Sequence, residues 1–147
     1  MIIDVHEGFH NTALACPLLL WVGMAGVRDY RELVTWQLAN DVRAEVFEIT
    51  SRRCFQAELG LRTQLRRAAD SACANIAEGF GRYQPRDFAR FLRISGASLS
   101  EVIEHLESAV VARLIARDEA ARIQSLARRS RGAGTQLIRY LQSAAPR

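Results

Sequence analysis

The chain has 147 residues, 49% of them apolar and 24% charged, which excludes a disordered chain and leaves room for one core without disulfides or metal. All 20 basic side chains are arginine, against 16 acids, for a net charge of +4; that modest excess suits an anionic partner only where arginines gather in one place. Cys16, Cys54 and Cys73 are odd in number and lack C-x-x-C spacing, so a disulfide or zinc framework is set aside in favour of buried thiols in a reducing cytoplasm.

Residues 1–27 read as an N-terminal extension and 28–147 as the folded domain. Ala13 to Val27 is almost wholly apolar, but it is too short to span a membrane and is broken by Pro17. It lacks the basic flank of a signal peptide, carrying Asp4 and Glu7 instead. A translation start at Met24 is the favoured explanation, ahead of an added peripheral segment. His6-Glu7-Gly8-Phe9-His10 matches the H-E-x-x-H zinc-protease pattern. It lies next to the chain start, contains a glycine, and has only His105 as a further histidine, so chance is the better account.

After Tyr30 no alternating apolar–polar run is bounded by turn signals, and helical periodicity occurs four times. The first predicted helix covers about 31–53 with Trp36, Ala39, Val42, Val46 and Ile49 on one face. The second covers about 57–79, with Leu61, Leu65, Ala68, Ala72 and Ile76 inward, and is expected to stop at Gly79 and Gly81. Pro85 suits the first turn of a third helix reaching about Ala116. Its seam is Phe88, Leu92, Ser95, Leu99, Val102, Leu106 and Ala109, in alternating steps of four and three. Asp118 is the expected cap of a fourth helix to about Ser143, with Ile123, Leu126, Ser130, Ala133, Leu137 and Leu141 inward. Gly132 and Gly134 weaken that helix unless a neighbour approaches closely. Short connections make successive helices antiparallel. The fold class is therefore all-α, an up-down-up-down four-helix bundle.

That topology brings the second-to-third turn to the end where the first helix starts and the fourth finishes. Arg28, Arg31, Arg82, Arg86, Arg90, Arg93 and Arg139 gather there, against Asp29, Glu32, Glu78 and Asp87. Arg31, Arg82, Arg86, Arg90, Arg93 and Arg139 are the candidate nucleic-acid-binding residues, gripping phosphates while Tyr83 and Phe80 stack on bases. The competing account is a solvated face. Arg62 and Arg66 are expected to approach Glu101 and Glu104 as inter-helix ion pairs. Arg67, Ser71, Asn75 and Glu78 form a polar line beside the second helix's apolar stripe, expected to hydrogen-bond structurally within the chain or across a subunit boundary.

An enzyme reading finds little to use. Ser71, Ser95 and Ser98 have no activating histidine, and Glu101, Glu104 and His105 lack the Glu-x-x-His spacing of a di-iron bundle. No catalytic residue, metal or cofactor is expected.

Several blocks resemble one family in order: Arg28-Asp29-Tyr30 with Leu33 to Ala39, Glu58-Leu59-Gly60-Leu61, Gln64-Leu65-Arg66-Arg67-Ala68-Ala69, Asn75-Ile76-Ala77-Glu78-Gly79 with Gly81-Arg82, then Phe88, Arg90-Phe91-Leu92 and Ser98-Leu99. A fainter echo follows in Leu137-Ile138-Arg139 and Leu141. The chain resembles the four helix bundle protein family, which includes the 23S rRNA intervening-sequence protein and the accessory variability determinant of diversity-generating retroelements. The likeness runs from Arg28 to about Leu141. It implies a small bacterial, cytoplasmic protein, a homopentameric barrel with a basic surface, whose retroelement relatives bind nucleic acid and a reverse transcriptase. Cys73, Asp70 and Gln84 depart from the pattern, and Asp70 lowers the local positive charge. Two functions are carried forward. One is a non-enzymatic oligomeric accessory protein that binds nucleic acid, RNA in preference to DNA. The other is a homo-oligomeric scaffold docking a protein partner such as a reverse transcriptase.

Overall fold

The computed structural model describes residues 26–82 and 84–144. The apolar run before Gly26, the H-E-x-x-H match, Met24, Cys16 and Tyr83 lie outside the described residues. Four helices account for almost everything else: α1 Val34–Ser51, α2 Leu59–Gly81, α3 Pro85–Val111 and α4 Arg117–Ala144. α1 and α3 each pack against both α2 and α4, closing an antiparallel four-helix bundle. Among the described residues there is no strand, and no helix is long and apolar enough to cross a membrane.

The seams of α1 to α3 are the expected ones, with Trp36 and Leu61 at the starts of α1 and α2 half-buried against the core. Val42, Val46 and Ile49 on α1, Leu65 and Ile76 on α2, and Val102 and Leu106 on α3 have no exposed surface at all. Burying a side chain of this size is worth about 1.5–3 kcal/mol. α4 is rotated from expectation. Ala120, Ile123, Ala127, Ser130, Gly134, Leu137 and Leu141 face inward, whereas Leu126 and Ala133 are half-buried. The steps again alternate three and four, but alanine and glycine hold three of the positions, and their small apolar weight hides the seam.

The connections differ too. The predicted first helix is shorter, flanked by 3-10 turns at Tyr30–Glu32 and Arg53–Gln56. Asp29 caps the former, accepting from the Arg31 amide at 2.8 Å, and the latter drives Phe55 fully into the bundle end. α3 stops at Val111 rather than continuing to Ala116. Arg113 takes a left-handed conformation (φ 59°), its amide donates to Val110 O at 3.0 Å, and the Leu114 amide donates to Ala109 O at 2.9 Å. That is a Schellman motif with arginine where glycine is usual. Asp118 lies within the first turn of α4, not before it.

Small residues and hydroxyls tie the helices together where bulky side chains are absent. Thr35 Oγ1 donates to Ser130 O at 3.0 Å, and Ser130 Oγ returns a bond to Thr35 O at 2.7 Å, both buried between α1 and α4. Ser95 Oγ donates to Ala72 O at 2.9 Å across α2 and α3. Gly134 faces Thr35 Oγ1, which an added Cβ would approach to 3.3 Å, so its expected close neighbour exists; Gly132 has none within 4 Å. Gly79 is no helix stop. It lies inside α2, and a Cβ there would meet Phe91 Cβ at 2.6 Å and Phe88 Cδ2 at 2.8 Å. Absence of a side chain is what lets α2 and α3 close up beside the turn that joins them.

Candidate nucleic-acid interface

The turn between α2 and α3 forms one tip of the bundle. A concavity of ≈320 Å³ there is lined by Val27, Arg28, Gly79, Phe80, Gln84, Pro85, Phe88 and Leu141. The chain leading into α1, the end of α2, the start of α3 and the end of α4 therefore meet, as the topology requires. Pro85 occupies the first turn of α3, and Gln84 precedes it without a side-chain capping bond.

The six candidate arginines separate into two kinds. Arg31 pairs with Asp29 at 2.9 Å and its guanidinium lies 4.7 Å from the centre of the Tyr30 ring. Arg82 pairs with Glu78 one turn earlier and sits 5.3 Å over Phe91. The hydrogen bond that Arg82 donates to the Glu78 carboxylate holds its guanidinium above its ordinary pKa. These two are engaged within the chain. Arg86, Arg90, Arg93 and Arg139 are exposed, as is Arg28. Among the described residues none of those five has a carboxylate within 4.0 Å. Arg86, Arg90 and Arg93 share the face of α3 opposite its seam, and the Arg90 guanidinium lies 4.9 Å over the Phe91 ring, a cation–π contact that occupies one face of the fork.

The far end of the bundle is built differently. Arg52 pairs with Glu119 at 2.7 Å and with Glu48 at 3.4 Å, and Arg122 pairs with Glu45. The hydrogen bond from Arg52 lowers the Glu119 carboxyl below its ordinary pKa, and the same bond raises Arg52. Arg117 reaches Glu107 at 3.9 Å. Arg52, Arg117 and Arg122 thus join α1 to α4 or α4 to α3, whereas Arg53 and Arg113 at that end, like the arginines along the first half of α3, meet no carboxylate among the described residues.

Three expectations need correction. Phe80 is not offered to a base: it is half-buried and packs edge-to-face with Phe88, ring centres 6.0 Å apart. Arg62 and Arg66 do not reach Glu101 or Glu104. Arg66 lies on the α1 side of α2, donating from Nε to Thr50 Oγ1 at 2.8 Å and stacking 4.8 Å over Phe47. The polar line is only partly a unit. Ser71 Oγ and Ser98 Oγ are 2.9 Å apart and Asn75 Nδ2 donates to Ser71 O at 2.8 Å, whereas Glu78 serves Arg82 and Arg67 is exposed. The Ser71 and Asn75 bonds lie within the chain.

Two features had weak sequence signals. Arg131 on α4 lines a groove together with Arg93, although the two are far apart in the chain. Asp70 approaches Arg43 at 3.9 Å, so the departure that lowers positive charge is itself partly compensated. Beside it burial pushes the Cys73 thiol up to about 11. Among the described residues no three His, Cys, Asp or Glu side chains converge as a metal site would require.

The sequence profile described as 23S rRNA-intervening sequence protein matches residues 31–132. No match is found among curated proteins. The matched region begins at the 3-10 turn before α1, contains α2 and α3 whole, and ends within α4. By that match and the helical bundle it covers, the chain belongs to the 23S rRNA-intervening sequence protein family.

Proposed function

We propose that this protein is a non-enzymatic accessory protein that binds RNA through the arginine face of α3 near the bundle tip. One observation carries the reading: Arg86, Arg90 and Arg93 stand in a row on one helix face, exposed and without carboxylate partners among the described residues, while Arg52, Arg117 and Arg122 toward the opposite end are paired and Arg53 and Arg113 there form no such row. Guanidinium forks with free donors grip phosphate oxygens bidentately, and each phosphate neutralised releases counterions. The family's name concerns intervening sequences of 23S rRNA, which supports RNA as the polyanion and the bacterial cytoplasm as the place of action. Arg139 and Arg28 extend the same charge across the tip. Arg31 and Arg82, already paired, contribute field more than contacts.

Replacing Arg86, Arg90 and Arg93 together with glutamate tests the reading by titration of a labelled structured RNA at two salt concentrations. Affinity is expected to fall by at least about a hundredfold at low salt, and the salt dependence to flatten by about two to three phosphate contacts. Reversing Arg53, Arg113 and Arg117 at the other end makes the same change in net charge. Equal losses in the two triple variants would reduce the site to bulk charge.

A homo-oligomeric scaffold that docks a protein partner is the second reading. Val34, Phe47, Leu59 and Ile94 leave apolar side chains exposed on α1, α2 and α3, which neighbouring copies would cover. Light scattering on the eluting protein tests it, with a concentration-independent monomer as the refuting result.

A further inference from the structure

Between α3 and α4, a groove of ≈280 Å³ runs along the bundle surface. Arg93 stands on its α3 side and Arg131 on its α4 side, both exposed. Among the described residues neither has a carboxylate within 4.0 Å. The hydroxyls along its walls are already committed as donors: Ser100 Oγ to Gly96 O at 3.1 Å, and Thr135 Oγ1 to Arg131 O at 2.9 Å. Among the described residues, the free side-chain donors at the groove are therefore the two guanidinium groups.

Gly96 adds an independent observation. It sits in the middle of α3, where glycine weakens a helix relative to any ordinary residue. Packing among the described residues does not demand it, because a Cβ at this position would meet none of them within 4 Å. Gly134 across the groove has a close neighbour in Thr35 Oγ1; Gly96 has no such reason. What the missing side chain does is leave the groove open down to the helix backbone, the condition for close approach of a ligand.

We propose that this groove seats a phosphodiester of the bound RNA strand, held between Arg93 and Arg131. The row Arg86, Arg90 and Arg93 leads along α3 to the groove, and Arg131 carries the strand across to α4. A slot flanked by two arginines and without a nearby carboxylate selects an anion. Two planar forks suit the oxygens of a phosphodiester better than a single-point anion. This assignment rests on the RNA-binding reading above.

The test uses the full chain and a fluorescein-labelled RNA hairpin with single-stranded tails, followed by anisotropy at two salt concentrations. Arg131→Gln removes one side of the slot, and Gly96→Gln fills it from the floor. Arg129→Gln removes the same charge from an exposed position on another face of α4. Arg131→Gln and Gly96→Gln are each expected to weaken binding roughly tenfold, the size of one lost charge-assisted contact. Arg131→Gln should also shallow the salt slope by about 0.7–0.9. Gly96→Gln should melt no lower than the parent, so that stability and binding move apart. Wild-type protein without salt-dependent RNA binding would overturn the RNA-binding reading and this groove with it. Wild-type binding that survives Arg131→Gln as well as it survives Arg129→Gln would overturn the groove alone. If Gly96→Gln does not fold, the Arg131 and Arg129 comparison decides. Saturable protection by inorganic phosphate that disappears in Arg131→Gln while RNA affinity is unchanged would make this a free-phosphate site, and would likewise overturn the assignment.

Discussion

Replacing Gly79 by alanine adds one methyl group at the tightest contact between α2 and α3. That carbon would lie 2.6 Å from Phe91 Cβ and 2.8 Å from Phe88 Cδ2, where carbon pairs normally rest at about 3.5–4.0 Å. The Phe88 ring has a torsion with which to move aside. Phe91 Cβ does not, since it is fixed to the α3 backbone, so relief requires the helices to part by about 1 Å. Overpacking of this kind costs roughly 1–3 kcal/mol. Alanine recovers up to about 1 kcal/mol of helix propensity in a helix interior, and less this close to the end of α2. A net loss of about 1–2 kcal/mol remains, which lowers the melting temperature by roughly 4–8 °C for a domain of this size. Thermal and urea unfolding followed by circular dichroism measure it. Gly96→Ala is the internal comparison: with open space around its Cβ, it is expected to gain about 0.5–1 kcal/mol. Equal or greater stability of Gly79→Ala would refute the claim that sterics, not chain termination, put glycine at this position.

Arg113→Gly relieves a left-handed backbone held by an L side chain and is expected to stabilise the bundle by about 0.5–1 kcal/mol in urea unfolding. A loss of stability would mean the Arg113 side chain makes a contribution larger than the strain. The Arg52–Glu119 pair contributes above the ordinary glutamate pKa, because the Glu119 carboxyl is lowered in the folded chain. That contribution is lost as pH falls through the lowered value. Glu119→Gln should therefore cost about 0.5 kcal/mol at neutral pH, discounted for the exposure of Arg52, and the difference from wild type should vanish in acid. A pH-independent difference would assign the effect to packing. In a Cys16→Ser background, iodoacetamide at mildly alkaline pH is expected to label exposed Cys54 well before buried Cys73, whose thiol stays protonated until near pH 11. Equal labelling on peptide mapping would show that α2 opens readily from the bundle.

How far the sequence could be read depended on how apolar each seam was. The α3 seam from Phe88 to Ala109 is legible because leucine, valine and phenylalanine recur at heptad spacing, and every member is buried. The α4 seam has the same spacing but passes through Ala127 and Gly134, so Leu126 and Ala133 draw attention one position away. The end of α3 left no glycine to mark it, since Arg113 occupies the left-handed position itself. Two facts about the candidate interface were available without coordinates. Glu78 and Arg82 are spaced for an ion pair on one helix face, and Asp29 stands two residues before Arg31. Both foreshadow the ion pairs that Arg31 and Arg82 make within the chain.

Sequence alone determined four amphipathic rods, their antiparallel order, and therefore which arginines share an end. Those follow from periodicity and loop length, which are properties of the chain taken one segment at a time. Tertiary structure decided which flank of each rod meets which neighbour. Arg66 turns to Thr50 and Phe47 on α1 instead of toward the acids of α3, and Arg131 comes opposite Arg93 across a groove held open by Gly96. The physical reason is that the apolar stripe of a helix says which side is buried but leaves both edges of that side equivalent. Only close packing against two neighbours at once, with Gly79 under Phe91 and Thr35 bonded to Ser130, tells the edges apart.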